Sequence, residues 1–184
     1  MTVFLLGYLG RELWPAFQRG RAAEPHPLDS WTRRLIDPIA RAVGAVALYP
    51  FTGPPWWPFQ RWAQKAEGLS SSPMGLLIHP VYGPWHGYRA ALGFMERLPT
   101  LEPPRPVDVC AACSSKPCLS ACPAGVFAAG GYDVAACSAH LTSTGNACIQ
   151  GGCLARRACP VGADHAYSQE QGGFHSRAFL DSFG

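Results

Sequence analysis

The sequence predicts an α+β fold, in which a small mixed α/β domain over residues 1–104 precedes a loop-rich, mainly helical domain over residues 105–184. Three observations predict this arrangement. All eight cysteines lie between Cys110 and Cys159, which marks a separate module. The stretch LPTLEPPRPVD, residues 98–108, contains four prolines, which cannot continue a helix or pair in a central strand. The 20 glycines and 18 prolines of the 184-residue chain indicate short elements joined by many loops.

Two helices are expected in the N-terminal domain. HPLDSWTRRLIDPIARAVGAVA offers Asp29 or Ser30 as a cap, and Pro38 should limit or kink the helix. PWWPFQRWAQKAEG predicts a second helix that stops at Gly68. The residues expected to face inward are Trp31, Leu35, Ile39 and Val43 in the first helix, and Phe59, Trp62 and Ala66 in the second.

Strands are expected next, and one more helix at the end of the chain. MGLLIH and HGYRAALGFM are typical of two strands joined through the turn at residues 80–85, because Pro and Gly punctuate both ends. Near the C-terminus, Ser168 and Gln171 can form a capping box for a last helix. Phe174, Ala178 and Phe179 should pack inward, whereas Gly172 and Gly173 lower the helix propensity.

The stretch CAACSSKPCLSACP, residues 110–123, can serve a disulfide framework, a zinc site or an iron–sulfur cluster. The N-terminal MTVFLLGYLGRELW has no basic leader or small-residue cleavage site, so a cytoplasmic protein is expected and disulfides are disfavoured. The uncharged run over residues 42–59 contains four prolines that interrupt any helix long enough to span a membrane. No transmembrane segment is therefore predicted.

The cysteine-rich module contains a weak internal repeat. CLSACPAG (118–125) and CLARRACPVG (153–162) both begin with Cys-Leu and end with Ala-Cys-Pro-x-Gly. Duplicated halves that end in Cys-Pro are typical of bacterial ferredoxins with two [4Fe–4S] clusters, in which the last cysteine of each half binds the other cluster. This cross-over predicts a first site of Cys110, Cys113, Cys118 and Cys159, and a second site of Cys122, Cys137, Cys148 and Cys153.

Zinc remains the alternative, because Cys-x2-Cys pairs also build four-thiolate zinc sites. Only Cys110 and Cys113 form such a pair here. The gaps also exceed the usual ferredoxin spacing: four residues separate Cys113 from Cys118, and the second half is looser still. The Cys-Pro endings favour iron–sulfur clusters over zinc.

The order CAACSSKPCLSACPAGVF, YDVAACSAHLTS and a final Cys-Pro, over residues 107–165, resembles the ferredoxin module of epoxyqueuosine reductase. In that family, and in the reductive dehalogenases that share its plan, two [4Fe–4S] clusters deliver electrons to a cobalamin. GLLIHPVYGPWHGYRAALGF (75–94) resembles cobalamin-processing proteins of the CblC type, which implies a nitroreductase-like sheet and a flavin or cobalamin. The catalytic acid of epoxyqueuosine reductase has no counterpart here, so no catalytic residue is assigned.

Other side chains have two interpretations each. Trp56 and Trp57, with Phe59 and Trp62, can stack on a flat cofactor or pack in a core. His79 and His86 can approach a corrin or flavin, or be structural histidines whose hydrogen bonds are satisfied within the fold. His140 lies among the cysteines and could replace one as a ligand, while Arg156 and Arg157 could dock an acidic partner, bias a cluster potential or lie in a solvated turn.

The sequence thus favours an electron carrier that passes single electrons to a redox partner protein. The alternatives are a reductase with a flavin or corrinoid site in its N-terminal domain, or a zinc-stapled interaction module. The net charge of +3 is too small to indicate nucleic-acid binding. Its distribution is uneven, at +4 over residues 1–100 and −1 over residues 101–184, so bound anionic clusters would make the second half strongly negative.

Overall fold

The structure is a computed structural model that describes residues 1–128 and 131–183. Its strands are β1 (Thr2–Leu9), β2 (Val46–Leu48), β3 (Ser70–Ser71), β4 (Leu77–Ile78), β5 (His86–Phe94), β6 (Phe127–Ala128) and β7 (Gly131–Tyr132). Its α-helices are α1 (Leu13–Gly20), α2 (Pro27–Ala42), α3 (Phe59–Glu67), α4 (Pro117–Ser120), α5 (Val134–Thr142), α6 (Ala147–Gly151), α7 (Leu154–Arg157) and α8 (Gln169–Phe183). The mixed content and antiparallel pairing confirm the α+β class, whereas the nitroreductase-like and ferredoxin-like architectures stay predictions. Within the described ranges, no helix combines the length and apolarity needed to cross a membrane.

The chain divides into two compact units that are discontinuous in sequence. The first consists of Met1–Gly68 and His86–Pro106, and the second of Leu69–Trp85 and Val107–Gly184. The chain passes for the last time from the first unit to the second between Pro106 and Val107, two residues after the boundary expected at 104/105. The Leu69–Trp85 stretch, called the 69–85 segment below, was expected in the N-terminal domain but packs with the cysteine-rich half.

The first unit is built on a three-stranded antiparallel sheet of order β1-β5-β2. Strand β1 pairs with β5 from Thr2 opposite Phe94 onward, with a register shift between Leu6 and Gly7. The sequence analysis considered the apolar N-terminal run only as a possible leader peptide, and so missed β1. The strand expected at MGLLIH does not pair with β5, because β4 is only two residues long and pairs with β3 in the other unit.

Helix α2 exposes three of the four residues predicted to face inward, while the fourth, Trp31, is half-buried with its ring centroid 5.7 Å from that of Phe17. The helix begins at Pro27 and continues through Pro38 to Ala42. Leu35, Ile39 and Val43 are 46%, 48% and 50% exposed, while Leu28, Thr32 and Ala40 are buried instead. Asp29, expected as a cap, lies in the first turn and forms an ion pair with Arg89 of β5. The fourfold apolar spacing therefore identified a helix but not the side that packs.

Helix α3 has Gly68 at its C-terminal end in a left-handed conformation, as expected. Its buried residues are Phe59 and Ala63, and Trp62 packs against the same core, whereas Ala66 is exposed. Trp56 and Trp57 lie before the helix and are 64% and 42% exposed. Of the predicted aromatic group, Phe59 and Trp62 thus pack in the core, whereas Trp56 and Trp57 do not.

Helix α8 packs through glycines against α6, and both helices belong to the second unit. Ser168 Oγ accepts a hydrogen bond from the Gln171 backbone N–H at 3.1 Å, which is one half of the predicted capping box. The buried face consists of Gln171, Gly172 and Gly173. A Cβ added at Gly172 would lie 2.3 Å from the carbonyl oxygen of Gly151. The glycines that lower helix propensity are therefore what allow the two backbones to approach.

Candidate metal centre

The eight cysteines surround two cavities of the second unit, four to each. The smaller cavity, of about 20 Å³, is lined by Cys110, Cys113, Cys118 and Cys159. The larger, of about 180 Å³, is lined by Cys122, Cys137, Cys148 and Cys153. All eight thiols are free of disulfide bonds. These groups are the first and second sites that the cross-over rule predicts, so each half of the repeat contributes its last cysteine to the other half's cavity.

The loop before α4 shapes the first site. Lys116 has φ +39°, a left-handed conformation that is rare for residues other than glycine, and it precedes Pro117 at the start of α4. The Lys116 ammonium group donates to the carbonyl oxygens of Cys110 at 2.7 Å and Cys113 at 3.1 Å. This bridge fixes the Cys-x2-Cys turn from outside and gives the residues in the enlarged gap before Cys118 a structural role.

The 69–85 segment supplies part of the wall of both sites. Met74 and Ile78 are buried in one core cluster with Cys118, and both residues line the smaller cavity. Trp85, at the other end of the segment, is 2% exposed and lines the larger cavity. Sequence reasoning missed these residues because they precede the first cysteine by 25 positions or more.

Two glycines allow the 69–85 segment to cross the chain just after Cys159. Gly83 and Gly162 both have positive φ, at +56° and +69°. A Cβ at Gly83 would lie 1.9 Å from the carbonyl oxygen of Val161, and a Cβ at Gly162 would lie 2.3 Å from the carbonyl oxygen of Tyr82. Only glycine meets both the conformation and the contact. This close contact between the two chain segments holds in place the loop that follows Cys159.

Arg156 joins the end of the 69–85 segment to the second site. Its guanidinium donates to the carbonyl oxygen of Pro84, with Nε at 3.1 Å, and to the hydroxyl of Tyr167 at 3.1 Å. It also lies 4.7 Å from the Trp85 ring centroid and 4.3 Å from that of Tyr167. Arg157 donates to the carbonyl oxygens of Gly151 and Tyr167. Both arginines thus form hydrogen bonds within the second unit. These bonds support a structural role for Arg156 and Arg157 better than a role in docking a partner or a place in a solvated turn.

Asn146 positions the helix that carries Cys148. Its side-chain Oδ1 accepts from the Ile149 N–H at 2.7 Å and caps α6. Its Nδ2 donates to three backbone carbonyl oxygens, those of His140, Leu141 and Ser143. One buried amide therefore ties the end of α5 to the start of α6, so that Cys137 and Cys148 reach the same cavity.

The thiols are desolvated and close enough to one another to interact electrically. Burial raises the pKa of Cys110, Cys137, Cys153 and Cys159. Members of the same site add to this: Cys159 and Cys118 raise the pKa of Cys110, and Cys122 and Cys148 raise that of Cys137. Cys153 is exposed as a whole residue, yet its sulfur is crowded enough for burial to be the main cause of its raised pKa. Binding of a metal centre must therefore displace protons from these thiols.

Hydrogen-bond donors already face several of the sulfurs. The Tyr132 hydroxyl offsets part of the rise in the pKa of Cys137, and the backbone N–H groups of Arg156 and Ala155 do the same for the pKa of Cys153. In the first site, the backbone N–H of Val161 offsets part of the rise in the pKa of Cys159. Such donors stabilise the thiolate form that metal ligation requires.

Four cysteines line each cavity together, but their side chains are not gathered around a single point. Across residues 1–128 and 131–183, no group of three or more His, Cys, Asp or Glu residues meets the geometry for holding one metal ion. The centre that either set of cysteines would bind stays a prediction.

The predicted histidine sites have different outcomes. His79 Nδ1 accepts from the backbone N–H groups of Val81 and Tyr82 at 3.0 and 3.2 Å, so its ring stabilises the turn. His86 lies in β5, in the other unit. His140 lines the larger cavity, and its buried Nε2 has no hydrogen-bond partner among the described residues. Since four cysteines line that cavity, His140 is an additional polar group beside the ligands.

No family model, curated protein or solved structure matches the chain significantly. The resemblance to epoxyqueuosine reductase and to CblC-type proteins therefore stays an expectation from sequence.

Proposed function

We propose that this protein is a cytoplasmic electron carrier that binds two [4Fe–4S] clusters, one in each cysteine site. The observation that carries the proposal is the partition of the eight cysteines between two cavities, with Cys159 and Cys122 exchanged between the halves. This exchange is the ligand pattern of two-cluster ferredoxins. It would be an unusual outcome for two independent zinc sites, because each site would then be expected to draw on neighbouring pairs.

The residues around the sites serve to bind, orient and shield. When bound, the clusters supply reversible one-electron chemistry without a catalytic side chain. The apolar contacts of Met74, Ile78 and Cys118 keep water from the first site. Burial also makes free thiols costly to ionise, so the sites favour a bound centre over exposed thiolates. The redox partner is expected to present a basic surface, since bound clusters add negative charge to the cysteine-rich half.

Metal analysis after anaerobic purification tests the cofactor. We expect about eight iron and eight sulfide per chain, and EPR signals from reduced clusters after treatment with dithionite. Zinc without iron would refute the proposal and support the interaction module. A second chromophore that is reduced by substrate would instead support the reductase.

Paired cysteine replacements test the cross-over. Cys159→Ala should lower the iron content to about four per chain, and adding Cys113→Ala should remove little more, because both ligands belong to the first site. Adding Cys153→Ala to Cys159→Ala should remove nearly all iron, because Cys153 belongs to the second site. Cys153 is the closest cysteine to Cys159 in sequence and is therefore the matched control. The opposite pattern would contradict the assignment.

A further inference from the structure

The two sites differ in the polar groups that face their sulfurs. On the basis of the proposed function, we propose that the cluster bound at the second site has the higher reduction potential and holds the electron in the one-electron-reduced protein, with Trp85 and Tyr132 as the residues that set this order. Hydrogen bonds to sulfur and nearby positive charge stabilise the reduced, more negative state of a cluster. The site with more of these groups should therefore bind the cluster with the higher reduction potential.

Trp85 has a buried donor without an acceptor. Its side chain is 2% exposed and lines the larger cavity, and its indole Nε1–H has no hydrogen-bond partner among the described residues. An indole nitrogen can only donate, and an unsatisfied buried donor costs about 1–3 kcal/mol. On the proposed function, the cavity that Trp85 lines would hold the second cluster, whose sulfurs accept hydrogen bonds. A cluster sulfur is therefore the acceptor that fits this N–H.

Further polar groups face the second cavity. Tyr132 lines it, and its hydroxyl holds the pKa of Cys137 below what burial alone would give, as the backbone N–H groups of Arg156 and Ala155 do for Cys153. His140 adds a second nitrogen without a partner, its Nε2, to the wall of the same cavity. The guanidinium groups of Arg156 and Arg157 line it as well.

The first site has fewer such groups. Val161 lines it, and its backbone N–H offsets part of the rise in the pKa of Cys159. Ser72 also lines the cavity, and its hydroxyl has no partner among the described residues. Lys116 is the one cation among the described residues that line this cavity, against Arg156 and Arg157 at the second site, and all three cations are bonded to carbonyl oxygens. Asp108 lies close enough to raise the pKa of Cys110, which shows that negative charge opposes Lys116 there. Donors and cations are thus concentrated at the second site.

Single-site variants test the order of the potentials directly. Cys159→Ala should retain only the second cluster and Cys153→Ala only the first. In EPR-monitored redox titrations, the cluster retained by Cys159→Ala should have the higher midpoint potential. An equal or lower midpoint would overturn the proposal.

Removal of single donors tests the residues. Trp85→Phe keeps an aromatic ring beside Arg156 but loses the N–H, and Tyr132→Phe loses only the hydroxyl. Each should lower the higher midpoint, changing the ratio of reduced to oxidised cluster at fixed potential by about tenfold, which corresponds to about 59 mV. Ser72→Ala is the matched control in the other wall and should leave that midpoint unchanged.

The outcomes separate this inference from the proposed function. Suppose that Trp85→Phe, Tyr132→Phe and Ser72→Ala all keep full iron and sulfide content, and that neither aromatic variant changes the higher midpoint potential. This result would overturn the roles of Trp85 and Tyr132 without contradicting the proposed electron carrier. Absence of iron from the unaltered protein would end both. Because Tyr132 is 39% exposed, its variant remains a test even where Trp85→Phe disturbs the packing.

Discussion

Replacement of Gly172 by alanine sets two effects of opposite sign against each other. In a helix interior, alanine is about 0.8–1.0 kcal/mol more favourable than glycine. The new Cβ, however, would lie 2.3 Å from the carbonyl oxygen of Gly151 and 3.1 Å from the Cα of Gly152. Real Cβ contacts essentially never fall below 3.0 Å, so α6 and α8 must move apart by about 0.7 Å. Both sides of the contact are backbone, and neither can rotate away.

Overpacking of this kind typically costs about 1–3 kcal/mol, and a backbone obstacle puts the cost at the upper end. The net effect should be a loss of about 1–2 kcal/mol, or a decrease of about 2–8 °C in the melting temperature of a chain of this size. Thermal unfolding of the holoprotein under anaerobic conditions, followed by far-UV circular dichroism, measures this. Gly151→Ala is the matched control, because its nearest neighbour is a flexible Gln169 side chain at 3.6 Å. A melting temperature for Gly172→Ala at or above that of Gly151→Ala would refute the reasoning.

Three further predictions concern other parts of the chain. Gly83→Ala places a Cβ 1.9 Å from the carbonyl oxygen of Val161, so it should displace the loop after Cys159 and reduce the iron content by about half, whereas full iron content would show that the crossing is dispensable. Asn146→Ala removes the donor to the carbonyl oxygens of Leu141 and Ser143 and the acceptor of the Ile149 N–H, while the carbonyl oxygen of His140 keeps its bonds from Ser143. The variant should cost about 2–4 kcal/mol in thermal unfolding, and a change below about 1 kcal/mol would contradict the role given to this amide. Ile39→Ser should lower the free energy of unfolding by less than about 1 kcal/mol, because the Ile39 side chain is 48% exposed. Leu28→Ala should lower it by about 2–5 kcal/mol, because Leu28 is 6% exposed. The reverse ranking in the same assay would show that the outer face of α2 is covered.

The cysteine partition could be predicted from sequence because it depends on order along the chain. The two Cys-Pro endings identify the repeat, and the cross-over rule then divides the eight residues without reference to any other element. The structure places each predicted set around one cavity. The identity of the bound centre stays a prediction, because free thiols can bind either iron–sulfur clusters or zinc.

The walls of the sites could not be predicted in the same way. Trp85 and Ile78 lie far from the cysteines in sequence, and their spacing suggested only a strand and a turn. The packing role of Gly172 was also hidden, since a glycine in a helical pattern indicates reduced propensity before it indicates a close contact. Helix α2 shows the same limit, because apolar spacing locates a stripe and does not say whether another element covers it.

The 69–85 segment packs with residues that are synthesised much later, which affects when the two cysteine sites can form. Pro84 receives its hydrogen bond from Arg156, which lies 72 positions later. Emerging from the ribosome, Pro84 has no such donor until 72 more residues have been made. Because domains generally fold as units and from the N-terminus first, this discontinuous unit must wait for its later piece. The 69–85 segment is thus expected to remain without its packing partners until the cysteine-rich stretch has been synthesised.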